Sequence, residues 1–242
     1  MRDLLTRRRF LSGALATGGA LAPGKGYYDA GNLRLNRVIL PVAGLPAPFE
    51  GMRIGFAADF HHSPIGRLSL FRRAGELLRE SDPDLILLGG DFVNESEAPD
   101  PVPRARELID ALGPLAAPLG LFAVTGNHDL WLGHDATELL KGTLTDRLGV
   151  TWLDNRHVPL LRGGATLTLA GVADPYSARA DVAAALAGDA GAAPVILLSH
   201  SPDVNAGLGK RPQVKLVLAG HTHGGQIAPP AAATANSSPS RP

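Results

Sequence analysis

A single α/β domain is the fold class that this sequence predicts, and three observations carry it. Short apolar runs alternate with amphipathic stretches from about Leu33 to Ile227, with no internal repeat and no linker between them. Several runs are continuously apolar, as in Leu85–Leu88, the pattern of strands buried on both faces. The chain has 242 residues, 45% of them hydrophobic and 19% charged. That is ample for one large core and unlike a disordered chain.

Taken in order, strands are expected at Leu33–Leu40, Arg53–Ala57, Leu85–Leu88, Leu121–Val124, Val150–Leu153, Val158–Leu161, Thr166–Ala170, Val195–Leu198 and Lys215–Leu218. Helices are expected at Leu70–Glu80, Arg104–Leu112, Ala136–Leu148 and Ala178–Ala187. In the first helix Leu70, Phe71, Ala74, Leu77 and Leu78 share one face, and Ser69 stands where a cap would. Val158–Leu161 and Thr166–Ala170 flank Arg162-Gly163-Gly164-Ala165, a hairpin signal.

The two ends differ from the middle. Residues 1–22 read as a targeting segment. Thr6-Arg7-Arg8-Arg9-Phe10-Leu11 resembles a twin-arginine export signal, and the apolar stretch from Phe10 to Ala22 is too short to span a bilayer as an ordinary helix. Ala20-Leu21-Ala22 offers a small-x-small cleavage site, but Pro23 after it disfavours a signal peptidase. Cleavage and a retained anchor both stay open. The expected location is exported, periplasmic or in the cell envelope, with the twin-arginine machinery as a partner. That route carries folded proteins and suits a chain that loads metal before export. Residues 228–242 carry no large apolar side chain and read as a disordered tail.

Composition narrows the chemistry. Acids and bases balance at 23 each, so no basic field points to nucleic acid, and no specific nucleic acid is expected. Cysteine is absent, which excludes disulfide frameworks, thiolate nucleophiles, zinc fingers and iron–sulfur clusters together. A metal site must therefore use His, Asp, Glu, Asn or backbone oxygens. The placement of the eight His becomes the informative fact.

Five apolar strands share a habit at their carboxyl ends. Arg53–Ala57 runs into Asp59 and His61, Leu85–Leu88 into Gly90-Asp91, and Leu121–Val124 into Gly126-Asn127-His128-Asp129. Val195–Leu198 runs into His200, and Lys215–Leu218 into Gly220-His221-Thr222-His223. Ligands of α/β sheets bind beyond such strand ends. Asp59, His61, Asp91, Asn127, His200, His221 and His223 are too many ligands for one tetrahedral zinc. They suit two adjacent metals that share a carboxylate. Asp59 and His61, like His221 and His223, are spaced i, i+2, which in extended backbone points both side chains the same way. Gly90, Gly126 and Gly220 allow tight turns and close backbone approach. Two divalent cations bring more charge than two aspartates return, so the pocket stays electropositive and suits a phosphate. Taken singly, each signal also fits turn chemistry or a hydrogen-bonded structural His.

In order, Asp59-x-His61, Gly90-Asp91, Gly126-Asn127-His128-Asp129, His200 and Gly220-His221-x-His223 resemble the signature of the calcineurin-like metallophosphoesterase superfamily, over about Arg34 to Ile227. The arginine-rich start and the run His221-Thr222-His223-Gly224-Gly225-Gln226-Ile227 look like its exported branch, often described as similar to UDP-2,3-diacylglucosamine pyrophosphatases. The resemblance implies two packed mixed β-sheets flanked by helices, a four-layer sandwich with the metals at strand ends. It implies two divalent metal ions (Mn, Fe, Zn or Mg), one held by Asp59, His61 and His223 and the other by Asn127, His200 and His221, with Asp91 bridging. It implies that His128 protonates the leaving oxygen and that Asp129 orients the His128 ring. The implied reaction is hydrolysis of a phosphate ester or pyrophosphate through a metal-bridging hydroxide, with no phosphoenzyme.

Departures from the family pattern set further expectations. His62-Ser63 stands where an aliphatic residue and Gly are commoner. Trp131 and His134 follow the Asn-His-Asp loop; contact with substrate is one reading, and a packed Trp with a surface His is the somewhat favoured one. The Ala/Pro/Ser end reads as truncated or frame-shifted, with C-terminal strands of the second sheet missing. The substrate is a phosphorylated small molecule or a lipid-linked one, the latter with peripheral association at a membrane surface. Competing readings are a lipid-linked or nucleotide-sugar pyrophosphatase, a non-catalytic metal-binding or scaffold protein, and, less favoured by the charge balance, a nuclease.

Overall fold

The computed structural model describes residues 33–64, 66–97, 100–188 and 193–223. The expected targeting segment 1–22, the last residues of the expected domain (224–227) and the tail 228–242 lie outside the described residues. The chain divides into two compact units, Met1–Asn36 and Arg37–Pro242. The described part of the first, Leu33–Asn36, has no regular secondary structure.

The second unit has strand β1 (Ile54–Ala57), helix α1 (Leu68–Glu80), β2 (Leu85–Leu88), α2 (Pro101–Leu112) and β3 (Leu121–Ala123). Then come α3 (Asn127–Trp131), α4 (His134–Leu148), β4 (Thr151–Trp152), β5 (Arg156–Arg162) and β6 (Ala165–Gly171). The short helices α5 (Val182–Ala185) and α6 (Val204–Leu208) bracket β7 (Val195–Ser199), and β8 (Val214–Ala219) follows.

One sheet has the order β1-β2-β3-β4, all parallel. The other has the order β5-β6-β7-β8, with β5 antiparallel to β6 and the remaining pairs parallel. The β5–β6 connection is the expected hairpin. Gly163 and Gly164 have φ of 55° and 78°, which a two-residue turn of this hand demands.

Alternation along the strands builds the layers. Leu85 and Leu87 of β2 pack with Phe122, Leu167, Leu169, Ile196 and Leu198 between the sheets. Ile86 and Leu88 point the other way and pack with Leu78, Leu108, Leu112, Leu140 and Leu144 of the helices. On the far side of the second sheet, Ala170, Val195 and Leu197 pack with Ala185 and Val204. The result is two sheets with helices on both outer faces, so β2 is buried throughout.

Three expectations about local structure need correction. Leu33–Leu40 forms no strand; Val38 and Ile39 are 65% and 97% exposed, and among the described residues no ladder partner pairs with this run. Ser69 lies inside α1, whose N-cap position is Arg67 without a side-chain cap. The helix expected at Ala178–Ala187 shrinks to α5, because its run of alanines offers little apolar surface to hold it. By contrast α2 starts one residue after Asp100, whose carboxylate accepts the Val102 N–H at 3.1 Å, with Pro101 in the first turn.

Candidate metal centre

Parallel strands bring their carboxyl ends to one edge, and pairing continues past them. The N–H groups of Asp59, His61 and His62 donate to the carbonyls of Gly90 (3.0 Å), Asp91 (2.9 Å) and Phe92 (3.0 Å). The loops after β1 and β2 are thus zipped together. The two sheets meet there as well. The His221 N–H donates to both Asp59 carboxylate oxygens, at 2.9 and 3.1 Å.

The backbone of these loops differs from the extended form expected for the i, i+2 pairs. Asp59, His61, Asp91, His221 and His223 have φ of 59°, 42°, 56°, 66° and 50°. All are left-handed and none is glycine. Such a conformation costs on the order of 1–2 kcal/mol per residue and clusters at functional sites.

The side chains converge as two overlapping sets. Potential ligand atoms of Asp59, His61 and His223 lie within 4.8 Å of one another, as do those of Asp91, His200 and His221. His61 Nε2 is 3.1 Å from His223 Nε2, and His200 Nε2 is 3.1 Å from His221 Nδ1 and 3.2 Å from Asn127 Oδ1. Asp91 joins the sets: its Oδ2 lies 3.1 Å from His200 Nε2 and 3.4 Å from His61 Nε2. All seven residues expected as ligands are therefore brought together. Gly126 makes room for this, since a Cβ there would sit 2.1 Å from Asp91 Oδ1.

The tautomer of His200 shows what the site wants. Its Nδ1 lies 2.7 Å from the Gly89 carbonyl, which can only accept, so Nδ1 carries hydrogen. In the neutral ring Nε2 then presents a lone pair to a carboxylate oxygen and an amide oxygen. Electron pairs converging on one point call for a cation, and oxygen and nitrogen donors of this kind fit a divalent metal. Without one, a proton substitutes. Burial lowers the basicity of His200, but its bond to Asp91 and the Asp91 charge outweigh that and raise it to about 9. Asp91 itself is opposed by burial, yet His200, His61 and the His128 N–H hold it below the ordinary carboxylate value. Burial, ahead of the neighbouring His128 and His223 charges, lowers His61.

His128 stands beside these sets, and a ring nitrogen of it groups with His61 and Asp91. Its backbone N–H donates to Asp91 Oδ1 at 2.9 Å. The carboxylate at its Nδ1 is Glu95, which sequence reasoning missed. Glu95 sits in a polar turn that carries no periodic signal. The expectation that Asp129 orients the His128 ring is thereby corrected. Asp129 is fully buried, and its oxygens accept the backbone N–H groups of Asp91 (2.8 Å), Phe92 (2.9 Å) and Gly126 (2.9 Å). It ties the β2 and β3 loops together. Burial and the Asp91 charge push its carboxyl up to about 7, against those N–H groups.

The other histidines lie outside the cluster. His62 is buried, 2.8 Å from Glu107 Oε2. His134 is exposed at the start of α4. His157 lies in the hairpin, 3.0 Å from the Ala185 carbonyl. Trp131 is half exposed and packs its ring against His128 at 5.0 Å between centroids.

Fold and candidate ligand set together fit a metal-dependent phosphoesterase. The chain belongs to the calcineurin-like phosphoesterase family, whose sequence model matches residues 52–225, a span that contains every candidate ligand named above. It is 35% identical over 231 residues to a phosphodiesterase, YaeI, of Escherichia coli (strain K12), covering 94% of this chain and 81% of that one. It is 33% identical over 232 residues to an uncharacterized metallophosphoesterase, YkuE, of Bacillus subtilis (strain 168), covering 92% and 78%. A transmembrane protein with metallophosphoesterase domain from Danio rerio is 33% identical over 206 residues, 79% of this chain but 45% of that relative's length. Among solved structures, the NAD nucleotidase of Haemophilus influenzae shares the fold at a TM-score of 0.50 and 14% identity, over 71% of this chain and 38% of that one.

Proposed function

We propose that this protein hydrolyses a phosphate ester or pyrophosphate at a binuclear metal centre. One observation carries the reading: the Asp91 carboxylate lies between two sets of imidazole nitrogens, as a shared ligand must. Asp59, His61 and His223 would hold one cation, and Asn127, His200 and His221 the other. When bound, such a pair supplies Lewis-acid polarisation and an activated water.

The remaining work belongs to the chain. Glu95 holds His128 Nδ1 and leaves Nε2 to carry the proton that the departing oxygen needs. Asp129 fixes the Asp91 and Gly126 backbone and so sets the distance between the ligands and His128. The name of the E. coli relative puts diesters first in a substrate panel.

The test is metal stripping, reconstitution with Mn²⁺, Fe²⁺, Zn²⁺ or Mg²⁺, and assay on p-nitrophenyl phosphate and its bis-ester. Turnover that appears with metal and vanishes in Asp91→Ala is expected. No turnover with any of the four metals, or an Asp91→Ala variant as active as the parent, would sink the reading.

Export is the second part of the proposal. The Arg7-Arg8 pair ahead of Phe10-Leu11 supports a twin-arginine route to the cell envelope. Replacing both arginines by lysine should retain the protein inside the cell; unchanged fractionation would refute it.

A further inference from the structure

The aromatic side chains beside the candidate centre form a continuous arc. From His128 it passes to Trp131 (5.0 Å between ring centroids), then to Tyr176 (6.2 Å), then to His221 (5.4 Å). It starts at the candidate acid and ends on a candidate metal ligand, so it borders the space where a substrate would lie.

Two members of the arc are exposed to a degree that packing does not explain. Aromatic residues make up only 5% of the chain, yet Trp131 is 50% exposed and Tyr176 is 61% exposed. Large rings of this kind bury 150–250 Å² when covered, so leaving both open at the same rim forgoes that gain. The contacts of Trp131 with His128 and Tyr176 are edge-type, with interplanar angles of 61° and 62°. Neither contact stacks a ring flat on the indole.

Both rings stand on ordered backbone. Trp131 ends α3, three residues after His128 and therefore on the same side of that helix. Tyr176 lies in a turn after β6 that is pinned by the Asp174 carboxylate accepting the Ser177 N–H at 2.6 Å. Asp174 is fully buried, which fixes the base of that turn.

We propose that Trp131 and Tyr176 form the wall that receives the organic part of the substrate, and that this wall selects flat aromatic groups over saturated groups of the same size. This inference rests on the phosphoesterase reading, because it takes the group on phosphorus to lie along the arc from His128. Its chemistry is stacking, which tolerates any planar ring and needs no hydrogen-bond match.

The test compares benzyl phosphate with cyclohexylmethyl phosphate, whose leaving alcohols differ in planarity far more than in size. The metal-loaded full chain should prefer the benzyl ester about two- to tenfold in kcat/KM, the range expected for one aromatic pair. Trp131→Leu and Tyr176→Ala should each bring the ratio toward one, and Trp131→Phe should keep it. A parallel binding titration with benzylphosphonate and cyclohexylmethylphosphonate separates the two readings. Absence of turnover here and on both p-nitrophenyl phosphate and its bis-ester, with a retained preference in binding, would overturn the phosphoesterase proposal and leave the wall standing. Equal affinity for the two phosphonates, no binding of either, or a ratio unchanged in Trp131→Leu and Tyr176→Ala, would overturn the wall.

Discussion

Replacing Asp129 by Ala tests the division of labour between the two carboxylates near His128. Asp129 accepts three backbone N–H groups at 2.8–2.9 Å and is fully buried. Its removal leaves those donors without a partner. A buried orphaned donor costs about 1–3 kcal/mol, so the three together predict a loss of at least about 3 kcal/mol. The measurement is urea unfolding of the metal-free protein, followed by fluorescence of Trp131 and Trp152. It should be run below the pKa of about 7, near pH 6: burial opposes ionisation of this carboxyl, so its contribution to stability falls as pH rises through 7. With a slope of about 2 kcal/mol/M, the midpoint should fall by at least about 1.5 M. Asp129→Asn can seat its oxygen where two of the donors meet but must turn an amide N–H₂ toward the third, so its loss should be intermediate. A midpoint within about 0.3 M of the parent, together with a large fall in kcat, would show that Asp129 serves the reaction rather than the loops.

Four further outcomes follow from the geometry. Glu95→Ala should leave metal content unchanged and lower kcat by about 10² or more, since the His128 ring loses its anchor; kinetics beside metal analysis checks this. Gly126→Ala should abolish metal retention, because the added carbon collides with Asp91; elemental analysis after gel filtration reads it. Asp91→Ala should empty both halves of the centre, whereas His223→Ala should empty one. Chelator treatment should remove metal in two phases, because the His223 side chain is 41% exposed and that of His200 is 0% exposed; a single phase would contradict the two-site arrangement.

Much of the fold was legible because burial writes itself into sequence. Leu85–Leu88 reads as a strand covered on both faces, and it is wedged between the helices and the second sheet. The clustering of the candidate ligands was legible for a related reason: parallel strands align their ends, so polar residues after apolar runs fall together. Other parts depend on contacts that no local pattern encodes. Glu95 looks like any residue of a polar turn until the fold brings His128 to it. Asp129 follows His128 directly, which suggests a partnership, yet its side chain turns to the backbone of the loop after β2. Leu33–Leu40 has the composition of a strand, but a strand exists only where a neighbour offers a ladder. The left-handed ligands were hidden as well, because Asp and His give no warning of a positive φ as Gly does.

That backbone strain has a consequence for anyone who mutates this protein. At His61, His221 and His223 the left-handed conformation suits glycine better than histidine. Glycine or asparagine there would relieve about 1 kcal/mol at each position. A screen that rewards thermal stability or soluble yield alone would therefore drift toward loss of those imidazoles. Its winners would melt later and bind no metal, so any stabilisation campaign needs a turnover readout from the first round.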